Sequence, residues 1–509
     1  MEEQNGFRRN RSCEEHVFTL HSVIQNRLND GKDTFVAFID MCKAFDWIDR
    51  SLLLYKLLKT NISGKMYFAI KSLLVNTYSC LKLKDFLSNW FHTASGVRQG
   101  DTLSPNLFNI FINDLAVDIK NLNLGIKMGD VNLSILLYAD DIVLMAESDK
   151  DLQAMLNYVN QWCNKWKLSI NGVKSQIIHF RKRRRTQTSF NFQIGKSELK
   201  VVQSYKYLGV IFDEHLNFKL CEKTLADAAG KALGGMIHKL KQIKYTNIGI
   251  FRKLYETCVI PIMDYNCSIW ANYVCAYGDK IQLRAQRFFL GVHNKAPIAG
   301  ICGDLGWIPT KYRRYIAVCR FWNHLVKLQE NRLPRKVLDF ELGNISNTKS
   351  WFQMLKSILP VFGISDINMS FRFNIIHLKS FLLEQSQKDW LEIIKNKPKL
   401  RLYRQFKKTF ETQNYVNLNM SKYQRSLTAK LRMGILPLAL ETGRYTNTAL
   451  KERGCFYCNG EIEDELHFIC NCKLYTKYRE TLFESMAKVF TDFSEMYVKE
   501  KFLQIKETD

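Results

Sequence analysis

The stretch Leu133-Ser134-Ile135-Leu136-Leu137-Tyr138-Ala139-Asp140-Asp141-Ile142-Val143-Leu144-Met145 sets two adjacent carboxylates inside an apolar run. An apolar strand, a break at the acidic pair and a second apolar strand read as a β-hairpin with both aspartates at its tip. Ionised carboxylates this close repel, and burying them unpaired is costly, so a divalent cation between them is the natural compensation. Taken alone, an acidic pair at a hairpin tip is more often a solvated turn, so its neighbours must decide.

Upstream, Thr34-Phe35-Val36-Ala37-Phe38-Ile39-Asp40 is a second apolar strand ending in a carboxylate, followed by the helix-like Lys43-Ala44-Phe45-Asp46-Trp47-Ile48. Between the two acidic sites lies Gly96-Val97-Arg98-Gln99-Gly100-Asp101-Thr102-Leu103-Ser104-Pro105, leading into an amphipathic run, Leu107-Phe108-Asn109-Ile110-Phe111-Ile112-Asn113. A glycine-flanked Arg and Gln at a loop-to-helix junction lets backbone and amide approach a flat ligand. The plainer reading of those glycines is a tight turn.

In this order and spacing the three blocks resemble the A, B and C motifs of reverse transcriptases of non-LTR (LINE-type) retrotransposons. Leu168-Ser169-Ile170-Asn171-Gly172-Val173-Lys174-Ser175 is similar to that family's D motif, and Tyr205-Lys206-Tyr207-Leu208-Gly209-Val210 to its primer-grip hairpin. Gln4-Asn5-Gly6-Phe7-Arg8-Arg9-Asn10-Arg11-Ser12 is similar to the fingers segment before the A motif. Ordered blocks over about 210 residues make chance similarity improbable. The resemblance implies an α+β fold: a right-hand polymerase palm with partial fingers, a helical thumb and a small C-terminal Cys/His zinc-knuckle region. The expected division is fingers and palm at 1–212, helical thumb or connection at 213–345, a helical region at 346–445 and the zinc-knuckle tail at 446–509.

The chemistry asks for these residue types. In phosphoryl transfer to a 3′-hydroxyl, one metal ion activates the attacking oxygen and a second stabilises the leaving pyrophosphate, the two about 4 Å apart. Mg²⁺, with Mn²⁺ as an alternative, prefers carboxylate, carbonyl and phosphate oxygens. Asp40 and Asp140 are the main expected ligands, with Asp141 beside them and the Met41 backbone carbonyl as an extra. The resemblance places Phe45 against the sugar, excluding a 2′-hydroxyl, although its spacing alone suits a core aromatic. It also places Gln99 and Gly100 against the incoming dNTP with Arg98 close by, and Tyr207, Leu208 and Gly209 on the primer. Lys174 could protonate the departing pyrophosphate, and Arg8 and Arg11 are candidate triphosphate contacts because guanidinium suits phosphate geometry. Asp46 and Asp49 read as helix-start and surface charges.

Seventy-four Lys and Arg against forty-nine Asp and Glu leave a net charge of +25, which favours a polyanionic partner. The 22 Tyr, 33 Phe and 9 Trp set stacking platforms beside that charge. An apolar share of 46% supports several cores and argues against a largely disordered chain. Met1-Glu2-Glu3-Gln4-Asn5 shows no apolar signal segment and no run reaches membrane-helix length, so no membrane partner is expected. Fourteen cysteines, mostly scattered singly, suit a reducing, intracellular setting. Ancestry and charge point to the nucleus.

Four cysteines cluster late. Cys455-Phe456-Tyr457-Cys458, then His467 and Cys472, gives the ligand set of a tetrahedral, structural Zn²⁺ site, with Cys470 as a substitute for Cys472. Four buried thiols without metal are the alternative. Arg181-Lys182-Arg183-Arg184-Arg185 reads equally as a nuclear signal or nucleic-acid clamp and as a solvated hairpin tip. LINE-type proteins carry an endonuclease and further fingers strands ahead of these motifs; their absence here leads us to expect an N-terminally truncated element, or one whose partner chain supplies the missing fingers or endonuclease. The expected activity is RNA-directed DNA polymerisation on an RNA template and DNA primer. The alternative is a catalytically inactive nucleic-acid-binding remnant of a retroelement. An intron-type reverse transcriptase is disfavoured by the C-terminal Cys/His pattern.

Overall fold

The computed structural model describes residues 2–243, 247–270, 276–344, 349–458, 460–490, 492–496 and 500–501. The chain folds into two compact units. The first comprises Met1–Cys221, Asn266–Tyr273 and Ala317–Phe373; the second comprises Glu222–Tyr265, Val274–Ile316 and Asn374–Asp509. The whole is mixed α and β, and every named strand among the described residues belongs to the first unit.

The first unit is built on strand β1 (Thr34–Ile39), buried at all six positions. A strand covered on both faces needs apolar residues without alternation, and Thr-Phe-Val-Ala-Phe-Ile supplies them. β1 is flanked antiparallel by β3 (Asp141–Ala146) and β4 (Gln176–Phe180), and β2 (Ile135–Tyr138), β5 (Phe192–Ile194) and β6 (Ser197–Val201) complete a six-stranded sheet in the order β5-β6-β4-β1-β3-β2. Period-two geometry sends Phe35, Ala37 and Ile39 into one core. They meet there helices α3 (Arg50–Lys59), α4 (Ser104–Asn121) and α5 (Asp149–Lys165). Phe38, on the other face, stacks against Tyr205 with ring centroids 4.4 Å apart. Tyr205 lies on a separate hairpin of β7 (Ser204–Tyr207) and β8 (Val210–Asp213).

Helix α1 (Cys13–Asn29) starts at Ser12, whose hydroxyl accepts from the Glu15 amide, and is buried over nearly its whole length. Its Glu15 carboxylate is fully enclosed. Such a charge must be paired, and the partners come from far along the chain: His324 Nε2 at 2.8 Å and Arg332 Nη2 at 2.6 Å. Phe18 of α1 packs edge-on to Phe321 and Trp351, and the Trp351 indole N–H donates to the Ser268 carbonyl at 2.8 Å. The returning segments Asn266–Tyr273 and Ala317–Phe373 thereby become parts of the first unit.

The loop before α4 is tied to the short helix α2 (Ala44–Trp47). Gly96 N–H donates to the Ile48 carbonyl and Val97 N–H to the Phe45 carbonyl, both at 2.8 Å. Gly96 has φ +80°, and a Cβ there would sit 2.6 Å from the Asp46 carbonyl oxygen, so glycine is required.

The second unit packs helices Ile248–Cys258, Ala276–Leu290, Ile298–Leu305, Ile375–Lys395 and Lys422–Arg432 around Phe251, Trp307, Trp390, Tyr403 and Tyr415. Its buried Asp304 accepts from the Tyr403 and Tyr415 hydroxyls at 2.9 and 2.7 Å and faces Arg432 Nε at 3.4 Å. Among the described residues no helix is long and apolar enough to cross a membrane, and the thirteen cysteines are free thiols.

Candidate active site and Cys/His cluster

β1 and β3 run antiparallel with Phe38 opposite Val143 and Ile39 opposite Ile142. One step further, Asp40 follows β1 at the same edge where Asp141 opens β3. Tyr138 pairs with Asp141 across the β2–β3 hairpin, leaving Ala139 and Asp140 as its two-residue turn. Sheet register therefore gathers Asp40, Asp140 and Asp141 at one edge; Asp140 occupies the turn and Asp141 the first position of the strand.

All three are half-buried. Burial pushes the Asp140 carboxyl up, with the Asp40 charge adding to it. Asp141 is pushed up to about 6 by burial, then by Asp140 and Asp40. Burial is the larger cause in both, and the neighbouring carboxylate charges add to it. Lys174 Nζ stands 3.8 Å from Asp40 Oδ2, its side chain two-thirds exposed. Cys42 N–H donates to the Ser169 carbonyl and Asn171 N–H to the Asp40 carbonyl, each at 2.8 Å, around the Met41–Ile170 bridge. In that arrangement the carbonyl of Met41 points away from the bridge. Carboxylate oxygens are the hard donors that divalent Mg²⁺ prefers.

Two residues quoted in the sequence blocks position these carboxylates without having been singled out for it. Ala139 adopts φ +56°, a conformation disfavoured for a residue with a Cβ. The Gln4 side chain holds it there: its carbonyl oxygen accepts from Ala139 N–H at 3.0 Å and its amide donates to the Ala139 carbonyl at 3.2 Å. The Leu137 amide donates to the Glu3 carbonyl at 2.8 Å, so the N-terminal segment lies alongside β2. Ser175, buried, accepts from Asp40 N–H at 3.1 Å and donates to the Asn171 carbonyl at 2.8 Å, fixing the end of β1. A polar residue flanking a motif is the only sequence signal for either role.

The expected nucleotide contacts are spread around this edge. Phe45 stacks on Phe108 at 4.8 Å and meets the edge of Phe7 at 5.8 Å, half-buried between them. Arg98, Gln99 and Gly100 are exposed; the Gln99 amide donates to Asp46 at 3.0 Å, and Gly100 has φ +88° with open space at its Cβ position. Arg8 Nη1 donates to the Gln4 carbonyl at 3.0 Å. Arg11 is engaged bidentately by Glu2 at 2.8 and 2.6 Å, so its fork is occupied. Asp49 caps α3 through the Ser51 and Leu52 amides and pairs with Lys167 at 2.7 Å.

On the β7–β8 hairpin, Tyr207 is buried and its hydroxyl meets His16 Nδ1 at 3.2 Å, whereas Leu208 and Gly209 form the tip with φ +44° and +84°. The Tyr205 phenol is pushed up to about 12 by burial and then by Asp141 and Asp40, which places it within reach of the carboxylates' field. In the basic run, Arg181 pairs with Glu214 at 2.5 Å and Arg185 with Asp33 at 2.9 Å, leaving Lys182, Arg183 and Arg184 exposed.

In the second unit, Cys455, Cys458, His467 and Cys472 place one ligand atom each within 4.8 Å of one another. The Cys472 sulfur lies 3.8 Å from that of Cys455 and 3.9 Å from that of Cys458. Tetrahedral Zn–S bonds of about 2.3 Å require sulfurs about 3.8 Å apart. His467 Nε2 is buried without a hydrogen-bond partner, while its Nδ1 sits 2.6 Å from Glu461 Oε2. A carboxylate behind a histidine whose other nitrogen is unsatisfied is the outer-shell arrangement of metal-binding histidines. Cys470 is buried outside this group. These four side chains fit a metal.

Residues 1–212 match the family model described as reverse transcriptase (RNA-dependent DNA polymerase). The chain is 25% identical over 286 residues to the RNA-directed DNA polymerase from mobile element jockey of Drosophila melanogaster, covering 55% of this chain and 30% of that protein. It is 28% identical over 209 residues to the retrovirus-related Pol polyprotein from type-1 retrotransposable element R2 of Nasonia vitripennis, covering 40% and 20%. Among solved structures, a telomerase from Candida albicans bound to a fragment of telomeric RNA aligns over 70% of this chain and 55% of that one, at 11% identity and a TM-score of 0.32, too slight a likeness to bear on the fold. Residues 1–212 are a reverse transcriptase domain related to those of non-LTR retrotransposons. The chain spans about a third or less of the length of the curated relatives it matches.

Two measurements test this geometry. Gln4→Ala removes the bonds that hold Ala139 and is expected to lower unfolding free energy in urea by about 1–3 kcal/mol. Because Asp141 has a folded-state pKa near 6, above its unfolded value, its stabilising contribution is complete below about pH 4 and lost as pH rises through about 6. In EDTA, the urea midpoint should fall over that window, and Asp141→Asn should flatten the fall.

Proposed function

We propose that this chain is an RNA-directed DNA polymerase, transferring dNTP to a primer 3′-hydroxyl on an RNA template by two-metal-ion catalysis. The observation that carries the reading is the sheet register that brings Asp40, Asp140 and Asp141 to one edge, within a domain of the reverse transcriptase family. Asp40 and Asp140, with Asp141 and the Met41 carbonyl beside them, would hold two Mg²⁺ or Mn²⁺ ions. When bound, such ions acidify the attacking hydroxyl and neutralise the leaving pyrophosphate.

The remaining roles belong to the protein. Phe45, braced by Phe108, would bar a 2′-hydroxyl by bulk. Gln99 and Gly100 would lie against the incoming nucleotide, with Arg98 and Arg8 on its phosphates; Arg11 would first have to leave Glu2. Lys174, on an exposed arm near Asp40, would give its proton to a pyrophosphate oxygen as the P–O bond breaks. Leu208 and Gly209 would meet the primer at the hairpin tip, with buried Tyr207 as their support. In this reading residues 1–212 act as palm and partial fingers, 213–345 as thumb or connection, 346–445 as a helical region and 446–509 as a knuckle closed by structural Zn²⁺ on Cys455, Cys458, His467 and Cys472. Four protein ligands leave that ion no open position for water, so its work is structural. RNA, primer and dNTP are the proposed partners, with a further chain supplying fingers or endonuclease, in the nucleus.

Incorporation of labelled dNTP on a primed RNA template with Mg²⁺ should be robust for the full chain. It should fall by roughly 10²-fold or more in the Asp140→Asn, Asp141→Asn double variant, on the scale of lost transition-state electrostatics. No incorporation by either chain, with RNA binding retained, would select the inactive binding remnant.

The knuckle has its own test. The purified chain should contain about one equivalent of zinc by mass spectrometry. Cys470→Ser should retain it and Cys472→Ser should lose it. The reverse pattern would exchange the fourth ligand.

A further inference from the structure

The second unit contains a cleft of about 800 Å³ that neither the carboxylate site nor the Cys/His cluster uses. Trp307, Trp390 and Phe410 contribute to its walls, with Ile298 and Ile393 half-exposed among them. Five lysines, Lys280, Lys295, Lys311, Lys397 and Lys399, line it with two carboxylates, Asp279 and Asp389; Lys399 is paired with Glu441 and Lys311 stands 3.8 Å from Asp389, so Lys280, Lys295 and Lys397 carry the positive charge at the cleft. The volume suits one drug-sized or nucleotide-sized ligand.

Trp307 and Gln286 belong to the lining at 5% and 1% exposure, and their indole and amide nitrogens are buried within the wall. The Trp390 indole is already satisfied by the Ala299 carbonyl at 2.7 Å. Lys280, Lys295 and Lys397 are exposed.

We propose that this cleft binds an unpaired nucleotide of a single-stranded nucleic acid, the base entering among the aromatic side chains and the flanking phosphates meeting the lysines. A nucleobase is planar and apolar on its faces, which matches a cleft walled by aromatic and aliphatic side chains. Anionic phosphates match the cationic surround. A base within a duplex is stacked and has its pairing edge engaged, so the cleft selects single strands. This site does not depend on polymerase chemistry.

The test uses the full chain and a twelve-nucleotide single-stranded RNA carrying one 5-bromouridine, irradiated and mapped by peptide mass spectrometry. Crosslinks are expected on peptides containing Trp307, Trp390 or Phe410. They should persist in the Asp140→Asn, Asp141→Asn variant, which separates this site from the polymerase reading. In Lys280→Glu, Lys397→Glu, whose substitutions lie on exposed side chains, the cleft crosslink should fall at least fivefold with an unchanged melting temperature. The same RNA annealed to its complement should give no cleft crosslink. Crosslinks confined to other peptides, a yield indifferent to the lysine reversals, or equal labelling from the duplex would each overturn the proposal.

Discussion

Mutual repulsion among three carboxylates is the constraint around which the first unit is organised. Burial makes the ionised forms of Asp140 and Asp141 more costly, and the Asp40 charge beside them adds to it. What prevents separation is the antiparallel register of β1 with β3, ten buried side chains deep into two cores, together with the two-residue turn that closes β2 onto β3. A one-residue slip would turn every core side chain to the wrong face, so the apolar strands fix the position of the charges. Ser175 at the end of β1 and Gln4 at the turn then remove the last backbone freedom. The same logic operates at the Cys/His cluster, where thiols 3.8 and 3.9 Å apart and an unsatisfied imidazole nitrogen are brought together by local chain geometry.

Much of this was legible because local sequence carries it. The apolar run 34–39 is β1, the runs around Tyr138-Ala139-Asp140-Asp141 are β2 and β3, and Tyr205-Lys206-Tyr207-Leu208-Gly209-Val210 is the tip of the β7–β8 hairpin. Cys455, Cys458, His467 and Cys472 could be paired by spacing, and geometry favours Cys472 over Cys470 for a reason spacing does not contain: only one of the two sulfurs comes within reach of the others.

The rest was hidden because it depends on residues distant in sequence. Gln4 reaches Ala139 across 135 positions, and nothing in a lone glutamine announces that its amide will clamp a strained turn. Tyr207 reads as part of the primer-grip hairpin, and nothing in that motif announces that its hydroxyl meets His16, 191 positions away. Arg11 looked available, but its partner Glu2 is a nearby acid whose orientation no pattern encodes. The cleft of the second unit is assembled from helices whose lysines and tryptophans read singly as surface charge and core.

The pairing of Glu15 also bears on how the chain is made. Its carboxylate sits on a helix complete by residue 29, but the groups that neutralise it lie 309 and 317 positions downstream. A ribosome delivering the chain from its N-terminus exposes α1 long before His324 and Arg332 emerge. Throughout that interval the helix cannot adopt its enclosed position without burying a lone charge. The packing around α1 is therefore completed only after the segments Glu222–Tyr265 and Val274–Ile316 of the second unit have been synthesised.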